Sequence, residues 1–438
     1  MESGDKMPPK LQIDPTDPFI DEEIVIIVTG CTPNSEVSIH ATTYDEKGKK
    51  FCSYGRFIAN QEGVVDVSSQ APIEGTYDKV DGSGLFWSMK HADSKLDDYF
   101  EKRGSNEVSI HFLLIVNGEK TDSVTTNLYF YKDGITKEAV QDEQLKGTVF
   151  HPKQQSRYPA VIILGGSDGG MQEHAAALLA SRGYVTFALS YFGVEGVPKD
   201  LENIPLEYFQ KATLRLKNHP YANGEVSLIG YSRGGELALL LGATYPHYTS
   251  IIAGAPSAYI TAGMKNGIFA PVPSWIMNEQ PLPYMKFTYR FSTMFSYLKN
   301  WIVKKPISFL SIWDQSLQNK EAIKAAKISV EKIKAPIMFI SGEDDQLWPS
   351  SHYVRLMEET VKKSNTPHQN HYIYYKNAGH FSSFPYSFSN LPSNVFMNTG
   401  GGMTMNFGGS KSANAAAAKD SWRKILVFLR ENHSHTKI

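Results

Sequence analysis

The chain has 438 residues, of which 41% are hydrophobic and 20% are charged. This length allows two domains that each bury a core of their own. The formal net charge of -1 excludes a global electrostatic attraction to nucleic acid or to anionic membranes, and leaves open local basic contacts to a phosphorylated ligand. The two cysteines, Cys31 and Cys52, are too few for a disulfide framework and suit a reducing compartment.

The chain ends and the apolar runs bear on the compartment. The start, Met1-Glu-Ser-Gly-Asp-Lys6, is too polar for a secretory signal and too acidic for a transit peptide. No apolar run approaches the roughly 20 residues that span a bilayer. We therefore expect a cytoplasmic protein without stable membrane insertion. The end, His435-Thr-Lys-Ile438, loosely resembles the S-K-L peroxisomal address, so a peroxisomal location is the alternative.

Short β-rich runs separated by turn signals fill the first third of the chain. Glu23–Thr29, Glu36–Tyr44 and Val108–Val116 are examples, and the last meets Asn117-Gly118, a strong signal for a two-residue hairpin. Regularly spaced short strands without helical patterns predict an immunoglobulin-like β-sandwich domain over residues 1–140. The polar stretch 132–146 is predicted to be a linker.

Beyond residue 147, apolar strands alternate with helices. Ala160–Leu164 and Tyr184–Leu189 have the pattern of buried strands, and helices are predicted over Glu173–Gly183 and Pro205–His219. This alternation implies a parallel sheet with right-handed crossovers. We therefore predict the α/β fold class, with the second domain over residues 141–438.

An aromatic-rich segment near residues 259–320 interrupts this alternation. Aromatic residues, methionines and prolines are concentrated between residues 269 and 313. Three interpretations stay open. The segment is a cap that lines an apolar pocket, a satellite core that only packs, or a surface that touches a membrane with help from Lys299, Lys304 and Lys305.

A glycine–serine–glycine turn is the strongest chemical signal. A short apolar strand runs into Gly230-Tyr-Ser232-Arg-Gly234, and a helix follows. In the nucleophile elbow of α/β-hydrolases, a G-x-S-x-G turn exposes the serine hydroxyl and leaves the next backbone N–H free to bind an oxyanion. The alternative is a Gly-rich turn before an ordinary helix. The flanking strand and helix favour the elbow, so Ser232 is the predicted nucleophile.

A serine nucleophile requires a base and an acid that orients the base. In α/β-hydrolases the acid follows the serine in the chain, after a strand. The strand Ile337–Ile340 leads into an acidic turn that contains Glu343, Asp344 and Asp345. The Gly-x-x-Asp spacing favours Asp345 as the acid, and the other two carboxylates stay competitors.

The base is predicted downstream of the acid. The strand His371–Tyr375 leads into a loop in which His380 follows a glycine. A loop histidine is usually a solvated surface residue, but this one completes an ordered trio in which each member follows a predicted strand. Ser232, Asp345 and His380 therefore form the predicted catalytic triad of an α/β-hydrolase domain.

The Gly-rich loop Gly165–Gly170 follows the strand that ends at residue 164. Its glycines let the backbone approach a reacting carbonyl, so we predict the backbone N–H groups of Ser167 and Arg233 as the oxyanion hole. The alternatives are a flexible loop or a phosphate cradle, but the run lacks the G-K-[ST] ending of Walker A. This chemistry needs neither a cofactor nor a metal.

Taken together, these pieces resemble the family of acyl-CoA thioesterases and bile acid-CoA:amino acid N-acyltransferases. The resemblance covers nearly the whole chain. It is carried by Asp21–Val25, Asp45–Gly48, Gly82–Ser88, Gly165–Gly170, Ala177–Gly183, Leu206–Phe209, Gly230–Leu237, Gly342–Asp345 with Trp348, Ala378–His380, and Gly408-Gly409 with Asp420–Trp422.

The resemblance implies a β-sandwich in front of an α/β-hydrolase domain, with Ser232 as nucleophile, Asp345 as acid and His380 as base. It also implies an acyl-CoA substrate and an acyl-enzyme. Thioesterase members pass the acyl group to water, and amidating members pass it to glycine or taurine. The bile-acid type uses cysteine as its nucleophile, so the serine here favours hydrolysis without excluding amide formation.

The predicted function is therefore hydrolysis of fatty acyl-CoA. Three alternatives stay open: an acyl-CoA:amino acid N-acyltransferase, a carboxylesterase acting on oxygen esters, and a lipid carrier that retains the fold as a scaffold. The intact serine, acid and histidine set argues against the carrier. Chain-length preference, CoA-binding residues and oligomeric state do not follow from the sequence.

Overall fold

The computed structural model describes residues 8–94, 98–142, 144–364, 369–399 and 402–434. Within these residues an all-β N-terminal part precedes an α/β part, which confirms the predicted fold class. The segment His435–Ile438 lies outside the described residues. Across the described ranges, no helix is both long enough and apolar enough to cross a bilayer.

The N-terminal part consists of short strands and one short helix. Its elements are β1 (Lys10–Asp14), β2 (Val25–Thr29), β3 (Glu36–Tyr44), β4 (Lys50–Ile58), β5 (Val65–Asp66), β6 (Glu74–Gly75), α1 (Gly84–Trp87), β7 (Lys90–His91), β8 (Val108–Val116) and β9 (Glu119–Leu128). They form an antiparallel sheet β1-β2-β5 and a second antiparallel sheet in the order β6-β4-β3-β8-β9, with β7 beside β4.

The two sheets share one core because their strands alternate buried and exposed residues. In β3 and β8 every second side chain is buried. Val28 of the small sheet and Ile39 and Phe112 of the larger sheet belong to the same buried cluster. The predicted hairpin joins β8 to β9, and Asn117 and Gly118 both have positive φ, at 50° and 85°.

The C-terminal part contains the remaining elements. The strands are β10 (Ile135–Gln141), β11 (Lys146–Pro152), β12 (Tyr158–Leu164), β13 (Val185–Ser190), β14 (Ile204–Pro205), β15 (Ala222–Tyr231), β16 (Ile251–Gly254), β17 (Met264–Lys265), β18 (Ile268–Phe269), β19 (Trp275–Met277), β20 (Gln280–Pro281), β21 (Ile337–Gly342), β22 (His371–Tyr375), β23 (Phe396–Asn398) and β24 (Thr404–Asn406). The helices are α2 (Glu173–Ala180), α3 (Leu206–Lys217), α4 (Arg233–Thr244), α5 (Phe291–Ile302), α6 (Leu310–Ser316), α7 (Lys320–Ala326), α8 (Ser350–Lys363) and α9 (Lys411–Asn432).

An eight-stranded sheet dominates this part, in the order β10-β11-β13-β12-β15-β16-β21-β22. The strands from β13 to β22 pair in parallel, and β11 pairs antiparallel with both of its neighbours. The carboxyl ends of β15, β21 and β22 therefore lie at the same edge of the sheet. These three strands precede Ser232, Asp345 and His380.

Helices cover both faces of the sheet. Strand β12 is buried along its whole length, as expected for a parallel strand with both faces covered. Its alternate residues enter different cores: Val161 and Ile163 pack with α2, α9 and the sandwich, and Ala160 and Ile162 pack with α3, α4 and α8. The N-terminal part thus shares a core with one face of the hydrolase sheet.

The prediction of a linker over residues 132–146 is wrong for the central part of that stretch. Residues 135–141 form β10, which pairs with β11 in the register Ile135↔Pro152 to Gln141↔Lys146. Strand β10 is an edge strand, and most of its side chains are exposed or half-buried. Charged residues such as Lys137 and Glu138 are usual at a sheet edge because they discourage pairing with other chains. In the sequence, these charges made the strand resemble a polar linker.

The aromatic-rich segment has two sides. Trp275, Met285 and Trp313 are buried and belong to the core on the α3, α4 and α8 face. Helix α5 by contrast exposes large apolar side chains, of which Phe291 is the most exposed at 89%. The inner side is therefore part of the main core, whereas a role as the cap of an acyl pocket stays a prediction.

A buried carboxylate joins the N-terminal part to the hydrolase helices. Asp21 accepts a hydrogen bond from Arg182 Nε at 3.0 Å and from Trp422 Nε1 of α9 at 2.9 Å. Beside it, Asn390 Nδ2 donates to the backbone oxygens of Ile20 and Glu22 at 2.9 and 2.8 Å. These contacts fix the chain at the start of the sandwich against the far end of the sequence.

Asp21→Ala should lower the free energy of unfolding by about 2–3 kcal/mol, because it leaves Arg182 and the Trp422 indole without their acceptor. Urea unfolding followed by circular dichroism measures the change. Glu23→Ala, at an exposed position of the same segment, is the control and should shift stability by less than about 0.5 kcal/mol. Equal effects of the two substitutions would contradict this role for Asp21.

Candidate active site

Ser232 occupies a strained turn between β15 and α4. Its φ and ψ are 56° and -118°, a region that non-glycine residues seldom adopt. Its backbone N–H donates to Gly254 O at 2.8 Å, which holds the turn against β16. A Cβ on Gly230 would lie 1.9 Å from Gly234 O, and one on Gly234 would lie 2.4 Å from Leu164 O. The two glycines are therefore required by close packing.

The structure brings the three residues of the predicted triad together. His380 Nε2 lies 3.0 Å from Ser232 Oγ, and His380 Nδ1 lies 2.8 Å from Asp345 Oδ2. All three side chains are buried, with Ser232 only 6% exposed. An ionised carboxylate only accepts hydrogen bonds, so Nδ1 carries the proton toward Asp345 and Nε2 is left to accept the Ser232 proton.

Asp345 is the acidic residue of its turn that contacts His380. Its Oδ1 also accepts from the backbone N–H groups of Leu347 and Trp348, at 3.0 and 3.2 Å, and its Oδ2 accepts from Ser350 Oγ at 2.7 Å. Four hydrogen bonds therefore fix the carboxylate in place. They leave it little rotational freedom beside the histidine.

The two competing carboxylates have other partners. Asp344 accepts from Gln346 Nε2 at 2.7 Å and from the Gly409 N–H at 3.0 Å. Glu343 pairs with Arg355. The geometry thus separates three neighbouring acids that the sequence left as alternatives, because only their side-chain directions distinguish them.

A C-terminal segment connects the acid turn to the histidine loop. Gly408 pairs with Asp345, and Gly409 pairs with Ala378, each through an isolated β-bridge. The His380 N–H donates to Phe407 O at 2.8 Å. Residues 407–409 therefore position both loops from outside the sheet. Gly408-Gly409 is among the segments that carry the family resemblance, but this positioning role could not be predicted because it depends on contacts between residues far apart in the chain.

The Gly-rich loop lies over the serine. A Cβ on Gly166 would lie 3.4 Å from the Ser232 Cβ and 3.2 Å from Tyr386 Oη. Arg233 is the first residue of α4, so its backbone N–H is at the helix N-terminus, where donors are unsatisfied by the helix. The oxyanion roles of Ser167 and Arg233 stay predictions.

A tyrosine that the sequence analysis did not single out holds this loop. Tyr386 Oη accepts from the Gly166 N–H at 2.6 Å and from Gln172 Nε2 at 3.1 Å, and it donates to Asp168 Oδ1 at 2.5 Å. Burial and the neighbouring Asp168 raise the pKa of the Tyr386 phenol well above its usual value, so the hydroxyl keeps its proton.

The same contact network reaches the N-terminal part. Arg103 forms an ion pair with Asp168 at 3.2 Å and donates to Gly169 O, also at 3.2 Å. Arg103 and Tyr386 therefore both hold the Gly-rich loop, and both contact Asp168. Neither residue lies in a recognisable motif, and no signal in a single sequence links them.

The Arg233 side chain has a role that the sequence analysis did not predict. It is buried and forms an ion pair with Glu236 at 2.9 Å. Glu236 in turn accepts from Thr261 Oγ1 at 2.7 Å and from Trp275 Nε1 at 3.0 Å. Since Thr261 and Trp275 belong to the aromatic-rich segment, this buried charge pair fastens that segment to the helix behind the serine.

Packed aromatic rings connect the aromatic-rich segment to His380. The Trp313 and Trp348 ring centroids are 5.2 Å apart, and those of Trp348 and His380 are 5.8 Å apart. Trp313 Nε1 donates to Leu347 O at 2.8 Å, and Trp348 Nε1 donates to Ala255 O at 3.0 Å. The Trp348 indole thus packs against the His380 ring, and Trp313 packs against Trp348.

A separate cluster of Glu138, His151 and His219 lies at the sheet edge, with ligand atoms within 4.8 Å of one another. His151 lies 2.8 Å from Glu138 through Nε2 and 2.8 Å from Pro152 O through Nδ1. His219 Nδ1 accepts from the Tyr221 N–H at 3.4 Å, so its Nε2 carries the proton toward Glu138. Hydrogen bonds account for both rings, and we assign no metal to them.

Comparisons with known proteins extend over nearly the whole chain. The chain is 26% identical to acyl-coenzyme A thioesterase 1 of Mus musculus, over 94% of this chain and 93% of that protein. It is 24% identical to the peroxisomal succinyl-coenzyme A thioesterase of Mus musculus, over 95% and 94%. It is 27% identical to the bile acid-CoA:amino acid N-acyltransferase of Mus musculus, over 97% of both chains.

Two family models match the chain. The model described as "Acyl-CoA thioester hydrolase/BAAT N-terminal region" covers residues 21–142. The model described as "BAAT / Acyl-CoA thioester hydrolase C terminal" covers residues 204–435, which include the serine, the acid and the histidine described above. The resemblance found in the sequence is thus confirmed: the chain belongs to the family of acyl-CoA thioester hydrolases and bile acid-CoA:amino acid N-acyltransferases.

Proposed function

We propose that the protein is an acyl-CoA thioesterase that hydrolyses fatty acyl-CoA to a free fatty acid and CoA. The observation that carries the proposal is the buried hydrogen-bonded series Ser232–His380–Asp345, in a chain of a family whose members act on acyl-CoA thioesters. Ser232 is the nucleophile, His380 the general base and acid, and Asp345 the carboxylate that orients the imidazole.

The first half-reaction forms an acyl-enzyme. Ser232 Oγ attacks the thioester carbonyl carbon while His380 Nε2 takes the hydroxyl proton, and Asp345 stabilises the resulting imidazolium. The carbon–sulfur bond then breaks, and the imidazolium gives its proton to the CoA sulfur. A thiol has a pKa of about 8.5 and leaves more readily than an alkoxide, which favours thioesters over oxygen esters.

The second half-reaction releases the acid. His380 takes a proton from water, the hydroxide attacks the acyl carbonyl carbon, and the Ser232 Oγ–carbon bond breaks as the proton returns to the serine. In both half-reactions negative charge develops on the carbonyl oxygen, and the backbone N–H groups of Arg233 and Ser167 would receive it. The Gly-rich loop lies close to Ser232 and is held there by Tyr386, which supports this proposal.

An N-acyltransferase is the second candidate. One relative bears that name, and the acyl-enzyme is common to both reactions. The bile-acid type of this family is expected to use cysteine as its nucleophile, whereas position 232 is serine here. The serine favours water as the acceptor, and oxygen-ester hydrolysis is the third candidate.

The compartment belongs to the same proposal. We infer a cytoplasmic enzyme from the two cysteines, a number that suits a reducing compartment. A peroxisomal location is the alternative, because one relative is named as peroxisomal. Fluorescence microscopy of the full chain, with and without its last four residues, separates the two.

The proposed activity is tested by CoA release from acyl-CoAs of increasing chain length, with and without glycine or taurine. We expect release that is insensitive to the amine. Ser232→Ala should lower kcat by about 10⁴-fold or more, because the nucleophile is lost. Ser190→Ala is the control, since it removes a buried hydroxyl that has no hydrogen-bond partner among the described residues. Amine-dependent release with an amide product would make the protein an N-acyltransferase.

Asp345→Asn should lower kcat by about 10³- to 10⁴-fold, because the amide no longer holds the required histidine tautomer. Asp344→Asn should reduce kcat less than about tenfold, since that carboxylate contacts Gln346 and Gly409 rather than the histidine. Steady-state kinetics of the two matched variants measure the difference. The reverse order would move the acid by one residue.

Tyr386→Phe should lower kcat by about 10- to 100-fold with KM nearly unchanged, because the Gly-rich loop loses the hydroxyl that positions it over Ser232. The matched control is Tyr353→Phe, since the buried Tyr353 hydroxyl has no hydrogen-bond partner among the described residues. A rise in KM at constant kcat would refute this positioning role and indicate loss of substrate binding instead.

A further inference from the structure

Helix α5 turns its most apolar side chains toward solvent. Phe291, Phe295 and Ile302 are 89%, 61% and 66% exposed, and Met294 and Leu298 are about half exposed. Surface helices of globular proteins usually point such residues inward. An exposed apolar patch of this size is typical of a surface that binds something else.

The spacing gathers these residues on one side of the helix. Positions 291, 294, 295, 298 and 302 follow the i, i+3, i+4, i+7 pattern of a single helical face, which we call the outer face of α5. The opposite side attaches the helix to the protein: Thr293 Oγ1 accepts from Gln315 Nε2 at 2.5 Å, and Tyr297 Oη lies 3.0 Å from Ser311 Oγ. The packing of α5 thus leaves the outer face uncovered.

Basic residues lie on helix α5 and on both sides of it in the sequence. Between Glu279 and Asp314 the sequence contains no acidic residue and five basic residues, although the whole chain has a net charge of -1. All five side chains are exposed: Lys286, Arg290, Lys299, Lys304 and Lys305. This local excess of positive charge is complementary to an anionic membrane surface, which attracts nearby Lys and Arg side chains.

We propose that helix α5 docks the protein on an anionic phospholipid surface. The outer face would enter the boundary between headgroups and acyl chains, and the flanking lysines would contact lipid phosphates, as in other interfacial amphipathic helices. The binding is peripheral, because no helix of the described residues could span a bilayer.

The charge pattern favours lipid over a second copy of the chain. A symmetric dimer through the outer face would bring the same surface of both copies together. The basic residues around one face would then oppose those around the other, and like charges across an interface are unfavourable. An anionic membrane satisfies both the apolar face and its positive surroundings.

The docking helix is connected to the active site through packed aromatic residues. The Tyr297 and Phe309 rings are 5.4 Å apart beside α6, which carries Trp313. Trp313 contacts Trp348, and Trp348 contacts His380. If the proposed function holds, a docked enzyme would have this side of its active site near the membrane that holds amphiphilic acyl-CoA. The docking itself does not depend on that function.

Vesicle sedimentation of the full-length protein tests the proposal without any measurement of activity. We expect binding to phosphatidylcholine vesicles that contain about one third phosphatidylserine, and at least tenfold weaker binding to pure phosphatidylcholine. Raising the salt from about 0.1 M to 1 M should weaken the binding, because the Debye length shortens from about 10 to 3 Å. No sedimentation with either vesicle would overturn the proposal.

Two sets of variants assign the binding to α5. The triple variant Phe291→Ser, Phe295→Ser, Ile302→Ser should lower partitioning at least tenfold, and Lys299→Gln, Lys304→Gln, Lys305→Gln should remove the preference for phosphatidylserine. Ile268→Ser is the matched control, because Ile268 is 71% exposed but lies outside the helix. Unchanged binding of the triple variant, with a native circular dichroism spectrum, would overturn the proposal.

A separate measurement tests the alternative occupant of the outer face, which is a second copy of the chain. Light scattering behind a size-exclusion column measures the mass of the protein and of the triple variant without vesicles. Equal, monomeric masses support a lipid-facing surface. A dimer that the triple variant abolishes, together with no vesicle binding, would assign the outer face to self-association and overturn the proposal.

Discussion

The hydrogen bonds of His380 to Ser232 and Asp345 are the contacts on which the rest of the site depends. They require three loops, after β15, β21 and β22, to bring side chains within about 3 Å of each other in a buried place. The parallel sheet makes this meeting geometrically natural, because its strands end at one edge. The remaining requirement is close packing of backbone, which the glycines at the elbow satisfy.

A second requirement is that the loops around the serine stay in place. The Gly-rich loop is held by Arg103 of the N-terminal part and by Tyr386 of the C-terminal part. The aromatic-rich segment is held by the buried pair Arg233–Glu236, next to Ser232. Removing one partner of such a buried pair commonly costs about 3–5 kcal/mol because it leaves an uncompensated charge in the core, so both residues are required together. The N-terminal part thus contributes to the site through the Arg103 ion pair.

The sequence predicted those features that repeat a local pattern. The elbow, the hairpin at Asn117-Gly118 and the order of serine, acid and histidine each depend on a short motif and its neighbouring strand, and the structure has all of them. Asp345 could be favoured over Asp344 by spacing alone, but only the side-chain direction separated them. The edge strand β10 was missed because its charged residues resemble a linker.

Other features could not be predicted because they join distant parts of the chain. Tyr386 lies 218 residues from Asp168, and no periodicity connects them. Helix α5 has a recognisable apolar pattern, but periodicity indicates only that one face differs from the other. Which face the fold covers depends on the tertiary packing of Thr293 and Tyr297, and this left membrane contact as one of three interpretations.

A covalent acyl intermediate at Ser232 is the central requirement of the proposed mechanism. Rapid acid quench of the protein with an acyl-CoA, at times shorter than one turnover, followed by mass spectrometry of its peptides, measures this directly. We expect the peptide containing Ser232 to gain the mass of the acyl group, at the same rate as a burst of CoA release. Release of CoA with Ser232 unmodified, or an acyl group on another residue, would contradict it.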